Sequence, residues 1–232
     1  MESEPRRLAV IIPARNEEQS IVAVLAAIPK DLRADVIVVD NGSTDRTAEL
    51  AVQHGARVVR EPHRGYGAAG LAGLAALDDP EVVAFLDADL SDDPALLRDL
   101  VQPIFAGEAD FVIGSRMLGA REPGALPVHA RFGNWLAGRI LTHLYGQPTT
   151  DLGPFRAIRY CTLQQLHMQD RGFGWTMEMQ AKAARLRART VEIPVPYRKR
   201  LGKSKITGSA RASCQAGAII LATAMRFLRW KG

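Results

Sequence analysis

Cysteine is nearly absent: only Cys161 and Cys214 occur in the 232-residue chain. Neither has the spacing of a metal or redox pair, which excludes a zinc module, a disulfide framework and thiol redox chemistry. A reducing cytoplasm is the expected compartment. Aromatic residues are 6% of the chain, and none lies within the basic run Arg198–Lys205. The stacking platforms of a nucleic-acid binder are therefore missing, and no nucleic-acid partner is expected. No apolar run reaches the roughly 18–20 residues of a membrane span. The nearest, Ala216–Met225, is too short to cross and ends in cations and Trp230. That composition suits either an amphipathic helix at a membrane interface or a terminal helix packed on the core. Met1–Arg7 is short and polar, without the apolar centre of a signal peptide. There is no internal repeat and no low-complexity linker.

What is present is ordinary globular material, 47% hydrophobic and 24% charged, enough for one large α/β domain. The net charge of +5 favours acidic partners such as a nucleotide or a phospholipid surface. The excess is uneven. Between Arg185 and Arg211 nine Lys or Arg stand against one acid, Glu192, with Lys182, Arg226, Arg229 and Lys231 flanking them.

Apolar runs at Leu8–Ile12, Asp35–Val39, Ala56–Arg60, Val82–Leu86 and Asp110–Ile113 read as strands. Pro13 is expected to end the first. Helical spacing or capping residues between them predict helices over Asn16–Ile28, Thr47–His54, Tyr66–Leu77 and Pro94–Phe105. Continuous apolar strands alternating with helices mean a mostly parallel sheet covered on both faces. The remainder predicts helices at Phe132–Leu144, Thr176–Leu186 and Ser209–Trp230 and strands at Phe155–Ile158 and Val191–Val195. One domain over residues 1–209, with a carboxyl-terminal amphipathic helix over 210–232, is the expected organisation.

The most informative motif is Phe85-Leu86-Asp87-Ala88-Asp89-Leu90. Side chains alternate along an extended backbone, so Asp87 and Asp89 point the same way. Two carboxylates aimed at one spot repel unless a cation lies between them. A hard divalent ion, Mg²⁺ or Mn²⁺, is the natural occupant and keeps substrate phosphates as further ligands. In open parallel sheets ligands sit beyond the carboxyl ends of the strands. Two more polar clusters fall there, Pro13–Glu18 and Asp40–Asp45. A rival motif, Gly65-Tyr66-Gly67-Ala68-Ala69-Gly70, matches G-x-G-x-x-G, with Asp87 about 20 residues on as a dinucleotide fingerprint requires. Residues 61–64 separate its glycines from the strand, and Asp89 would repel a cofactor phosphate. Close helix–sheet packing is the competing explanation. Arg116 follows the fifth strand, Arg131 lies at the start of a helix, and Arg198–Lys205 is a glycine-containing basic loop suited to clamping phosphate.

Together these segments resemble the family 2 glycosyltransferases of GT-A fold, and within them the dolichyl- and polyprenyl-phosphate sugar transferases, including the dolichyl-phosphate mannosyltransferases. The resemblance rests on VIIPARNEE, VIVVDNGSTDRT, GYGAAGLAGL, FLDADLSDDP, GSRM, DLGPFRAI, WTMEMQAKA and RLGKSKITG, in the family's order from residue 10 to about 208. It implies that Pro13, Arg15 and Glu17 line a nucleotide pocket, with Gly67 beside it and Asp40 and Asn41 near the base or ribose. Asp87 and Asp89 would hold Mg²⁺ or Mn²⁺ on the donor diphosphate. Arg116, Arg131, Arg200, Ser204 and Lys205 would hold the acceptor phosphate and leaving group. Two positions depart from the pattern. Ser91 stands where these enzymes often carry a Gln ligand, and Asn41 replaces the second acid of Asp-Asp-Gly-Ser.

The implied reaction is inverting transfer of a hexose from a GDP-mannose or UDP-glucose type donor to a polyprenyl phosphate. The enzyme would work at the cytoplasmic membrane face as a peripheral protein. A lipid phosphate is already ionised and needs no strong base, only cations to offset its charge. A hydroxyl acceptor, soluble or lipid, would need a carboxylate base. Asp151 and Glu178 are the candidates for that role; otherwise they orient Arg or acceptor groups. A nucleotide-sugar-binding protein without turnover is the reading from a different class. The donor nucleotide, the sugar and the oligomeric state are not readable from the sequence.

Overall fold

The computed structural model describes residues 7–126, 128–201 and 210–230. Its centre is a seven-stranded sheet of order β3-β2-β1-β4-β6-β5-β7. The strands are β1 (Leu8–Ala14), β2 (Asp35–Asp40), β3 (Arg57–Arg60), β4 (Val82–Phe85), β5 (Phe111–Ser115), β6 (Arg156–Arg159) and β7 (Thr190–Pro194). All neighbouring pairs are parallel except those of β6, which runs antiparallel between β4 and β5.

The apolar runs behave as continuous buried strands do. Even-numbered residues of β1 (Val10, Ile12) join one core with Val24, Val38, Leu100 and Ile104. Odd-numbered Ile11 joins the other with Ile37, Val39, Phe85, Trp175 and Met179. Helices α1 (Ile21–Ala27), α2 (Thr47–Gln53) and α4 (Leu97–Phe105) supply the first face. Helices α3 (Tyr66–Ala75), α6 (Tyr160–Leu166) and α7 (Trp175–Arg185) supply the second. A third cluster joins α7 to α5 (Val128–Tyr145) and α8 (Ala210–Arg226) through Ala137, Leu141, Met177, Ala181, Ala224 and Phe227. Helix α8 therefore packs one face on the domain, and it leaves Met225 62% exposed on the other.

Three expectations shift. Pro13 does not end β1, which runs on to Ala14. The Ile11 carbonyl accepts from Leu86 while the Ala14 carbonyl accepts from Asn41, so Pro13 directs its missing N–H past the last β1–β4 pair, Ile11–Phe85. No ladder bond is lost there. Helix α1 begins at Ile21 rather than Asn16, because residues 16–18 are drawn into side-chain bonds with the loop after β2. A helix unanticipated from sequence, α6, follows β6 directly.

Candidate active site

Three strand ends build one edge. After β1, Asn16 takes a left-handed backbone (φ 52°). Its N–H donates to Ser43 Oγ at 3.0 Å, and its Oδ1 accepts from the Thr44 N–H at 2.8 Å. The Glu17 N–H donates to Thr47 Oγ1 at 2.8 Å. Asp45 accepts from the Thr47 N–H and from the Glu18 N–H across the gap. Asp40 Oδ1 accepts from the Ser43 N–H at 2.9 Å and tightens the turn through Gly42.

The departure at Asn41 has a physical reason. Its Nδ2 donates to the carbonyls of Glu61 (3.1 Å) and His63 (2.8 Å), and its Oδ1 accepts from the Gly65 N–H (2.9 Å). A carboxylate there would oppose two carbonyl oxygens, whereas an amide satisfies both and receives a third bond.

The acid pair leaves β4. Asp89 is 4% exposed. Its Oδ1 accepts from the Ser91 N–H and its Oδ2 pairs with Arg200 Nη2, both at 2.9 Å. Its carbonyl accepts from the Leu201 N–H at 3.0 Å. Residues 198–201 are thus laid along the acidic loop, with Arg198 also pairing with Asp93 at 2.8 Å. Asp87 keeps a partial opening to the cleft beside Tyr66; burial and the neighbouring Asp89 carboxylate push it up to about 7. Asp92 is 1% exposed and neither of its oxygens has a partner. Burial raises it well above the usual carboxylate range. The Ser91 hydroxyl is likewise buried and unpartnered.

These are the electrostatics of a site short of positive charge. Two convergent acids, a third orphaned acid and an unsatisfied hydroxyl fit a divalent cation of oxygen preference. Among the described residues no three His, Cys, Asp or Glu side chains converge as a ready-made ligand set. Any further ligands would have to be of another kind, such as substrate oxygens or water.

Beside the acids lies a cleft of about 550 Å³. Of the residues anticipated from sequence, Pro13, Arg15, Glu17, Asn41, Asp87, Asp89 and Arg200 line it. Arg116 stands behind it: its guanidinium grips Asp151 through two bonds of 2.7 Å, with the Asp151 side chain fully buried. Burial opposes the Arg116 charge, but the Asp151 carboxylate outweighs it and its pKa rises. The same guanidinium lies 5.0 Å over the Tyr197 ring. Asp40 is buried and does not line the cleft, Arg131 is exposed on α5, and Glu178 is fully buried in a pair with Lys182. Ser204 and Lys205 lie outside the described residues.

Gly67 is buried, and its N–H and that of Ala68 donate to the carbonyls of Gly172 and Arg171. The α3 amino terminus is therefore occupied by protein and not offered to a dinucleotide pyrophosphate. Tyr66, Asp170 and Phe173 also line the cleft. They were not anticipated, because they meet the acids only through the packing of α3 against the segment before α7. Tyr66, flanked by glycines that permit close approach, was the one with a local signal. A larger hollow of about 800 Å³ lies at the opposite end of the strands. Its wall includes Arg98 and Asp31, already paired with each other, and it is remote from the convergent acids.

Residues 9–169 match the family described as glycosyl transferase family 2. The chain belongs to that family. It is 43% identical over 209 residues to an uncharacterized glycosyltransferase of Mycobacterium tuberculosis, covering 89% of this chain and 92% of that one. It is 36% identical over 202 residues to a dolichyl-phosphate hexose transferase of Haloferax volcanii, covering 86% of each. In fold it is similar to glucosyl-3-phosphoglycerate synthase from M. tuberculosis, solved with Mn²⁺, UDP and glucosyl-3-phosphoglycerate. That likeness has a TM-score of 0.74 at 23% identity and spans 96% of this chain and 80% of the synthase. The protein is a glycosyltransferase, a hexosyltransferase of α/β GT-A architecture. No helix among the described residues is long and apolar enough to cross a membrane.

Proposed function

We propose that the protein transfers a hexose from a nucleotide sugar to a polyprenyl phosphate, with inversion at the anomeric carbon. The observation that carries this reading is the Asp89–Arg200 pair, which sets a cation-seeking acid pair beside an arginine on one cleft wall. Asp87 and Asp89 would hold Mg²⁺ or Mn²⁺, which when bound neutralises diphosphate charge. Pro13, Arg15 and Glu17 would receive the nucleoside. Arg200, with Arg116 behind it, offsets the charge of an incoming anionic acceptor. Ser204 and Lys205 would complete that set.

The hydroxyl-acceptor alternative requires a free carboxylate base. Asp151 is committed to Arg116, and Glu178 to Lys182 and two backbone amides, and neither lines the cleft. A phosphate acceptor needs no such base. The Haloferax relative, named for a dolichyl-phosphate acceptor, supports the same choice. Exposed apolar residues on α5 and α8 with nearby Arg131, Arg139 and Arg226 suit contact with an anionic bilayer, where the lipid acceptor resides.

The test is to screen nucleotide sugars with a short-chain polyprenyl phosphate and extract the product into organic solvent. Sugar label in the organic phase, abolished by chelator and restored by Mg²⁺ or Mn²⁺, is the expected result. Label transferred only to a water-soluble hydroxyl compound would overturn the acceptor assignment.

A further inference from the structure

We infer that Glu178 is a positioning residue for the donor site. It holds residues 169–172, and through them the glycine-flanked start of α3, so that Tyr66 meets Asp87 in the cleft. This rests on the donor-site reading above.

Glu178 and Lys182 stand one helical turn apart on α7, both fully buried, with Nζ and Oε1 separated by 2.6 Å. A pair withdrawn from water is costly unless its remaining hydrogen-bonding capacity is used. Here that capacity is spent on one segment. The Glu178 oxygens accept from the N–H groups of Gln169 (3.0 Å) and Asp170 (2.7 Å). Lys182 donates to the His167 carbonyl at 2.8 Å. Its ammonium also faces the rings of Phe227 and Trp230 at 4.6 and 5.2 Å, so the end of the chain closes over the pair.

The segment so held continues directly into the cleft wall. Asp170 Oδ1 accepts from the Gly172 N–H at 2.7 Å. The Arg171 and Gly172 carbonyls accept from Ala68 (2.9 Å) and Gly67 (3.1 Å), the first N–H groups of α3. The two backbones touch with no room for a side chain between them. A Cβ at Gly65 would stand 2.1 Å from the Arg171 carbonyl oxygen, and one at Gly67 would stand 2.0 Å from that of Asp170. Tyr66 lies between these glycines. Asp170, Gly172, Phe173 and Tyr66 all line the same cleft as the acid pair. A run of backbone and side-chain hydrogen bonds thus leads from Glu178, which does not line the cleft, to the start of α3, whose Tyr66 lines the cleft with Asp87.

The experiment uses the full chain carrying Glu178→Gln, which keeps shape but loses the charge that binds Lys182. Amide hydrogen exchange at Gly67, Ala68, Gln169 and Asp170 should accelerate about tenfold or more while β1 and β2 keep their protection. The Kd for UDP or GDP in Mn²⁺, measured by calorimetry, should weaken about tenfold. The donor KM should rise by more than kcat falls. Exchange that is unchanged or raised uniformly overturns the inference, as does local acceleration with an unshifted Kd. Gly67→Ala displaces the same segment from its other side without touching the ion pair. If Glu178→Gln does not fold, the same loss of affinity in Gly67→Ala supports the inference and an unshifted Kd overturns it. Wild-type protein that binds neither nucleotide removes the donor reading and this inference together. Wild-type binding with unshifted variants removes this inference alone.

Discussion

Around the ends of β1 and β2, the N–H groups of Asn16, Glu17, Glu18, Ser43, Thr44 and Gly65 are each held by a side chain, for all but Ser43 one distant in the sequence. On α5 and α8, by contrast, Phe132, Trp135 and Met225 are left 61%, 55% and 62% exposed. The first region spends its polar groups on itself and leaves only a few, such as Arg15 and Glu17, lining the cleft beside Asp87. The second leaves apolar surface uncovered, with cations such as Arg139 stacked over Trp135. Rigid backbone suits a small polar donor that must be gripped at defined oxygens. An open apolar face suits a partner with no fixed shape, such as a lipid surface.

The comparison breaks most sharply at Asp89. Asp89→Ala should lower kcat/KM by about a hundred- to a thousandfold, while far-UV circular dichroism stays that of the wild type. Substantial residual transfer would reduce the pinned region to scaffold. Next comes Arg116→Ala, which leaves the fully buried Asp151 without its counter-ion. A loss of about 3–5 kcal/mol is expected, read as a fall in melting temperature of roughly 10 °C. A loss below about 1 kcal/mol would mean that Asp151 finds another partner.

The exposed face is tested by Phe132→Ser with Trp135→Ser. Sedimentation with anionic vesicles should drop several-fold, with nucleotide Kd and melting temperature unchanged. Unaltered vesicle binding would move the lipid contact elsewhere. The smallest effect concerns Asp110, whose hydrogen bond to Arg189 outweighs burial and lowers it from 3.8 to about 2. A carboxyl depressed in the folded state contributes stability above about pH 4 and loses it as pH falls toward 2. Arg189 is 56% exposed, so solvent screening leaves well under about 1 kcal/mol. Asp110→Asn should therefore melt slightly lower at pH 7, and its gap to wild type should close between about pH 4 and 2 in urea titrations.

Much of the first half is legible along the chain, because buried parallel strands write themselves as unbroken apolar runs and because Asp87 and Asp89 share a face by strand geometry alone. Legibility fails where a partner is distant. Nothing near Arg156–Arg159 announces that this strand enters antiparallel between β4 and β5, since its neighbours lie 40 or more residues away. Glu178 reads as a functional acid because charged groups on an otherwise mixed helix look available. Its backbone partners, Gln169 and Asp170, become visible only when the loop folds back. The role of Gly65 and Gly67 is similarly hidden: G-x-G-x-x-G resembles a phosphate cradle until the 170–172 backbone occupies the helix end.

Local chemistry in the sequence determined the strand periodicity, the acid pair at a strand end, the basic carboxyl-terminal fifth and the motif order that marks the family. Only tertiary structure decided which carboxylates stay open to a ligand and which are consumed. Burial, counter-ion distance and hydrogen-bond partners set a carboxylate's availability, and these come from residues far apart in the chain. Asp87 facing the cleft and Asp151 closed on Arg116 are the same residue type in two such surroundings.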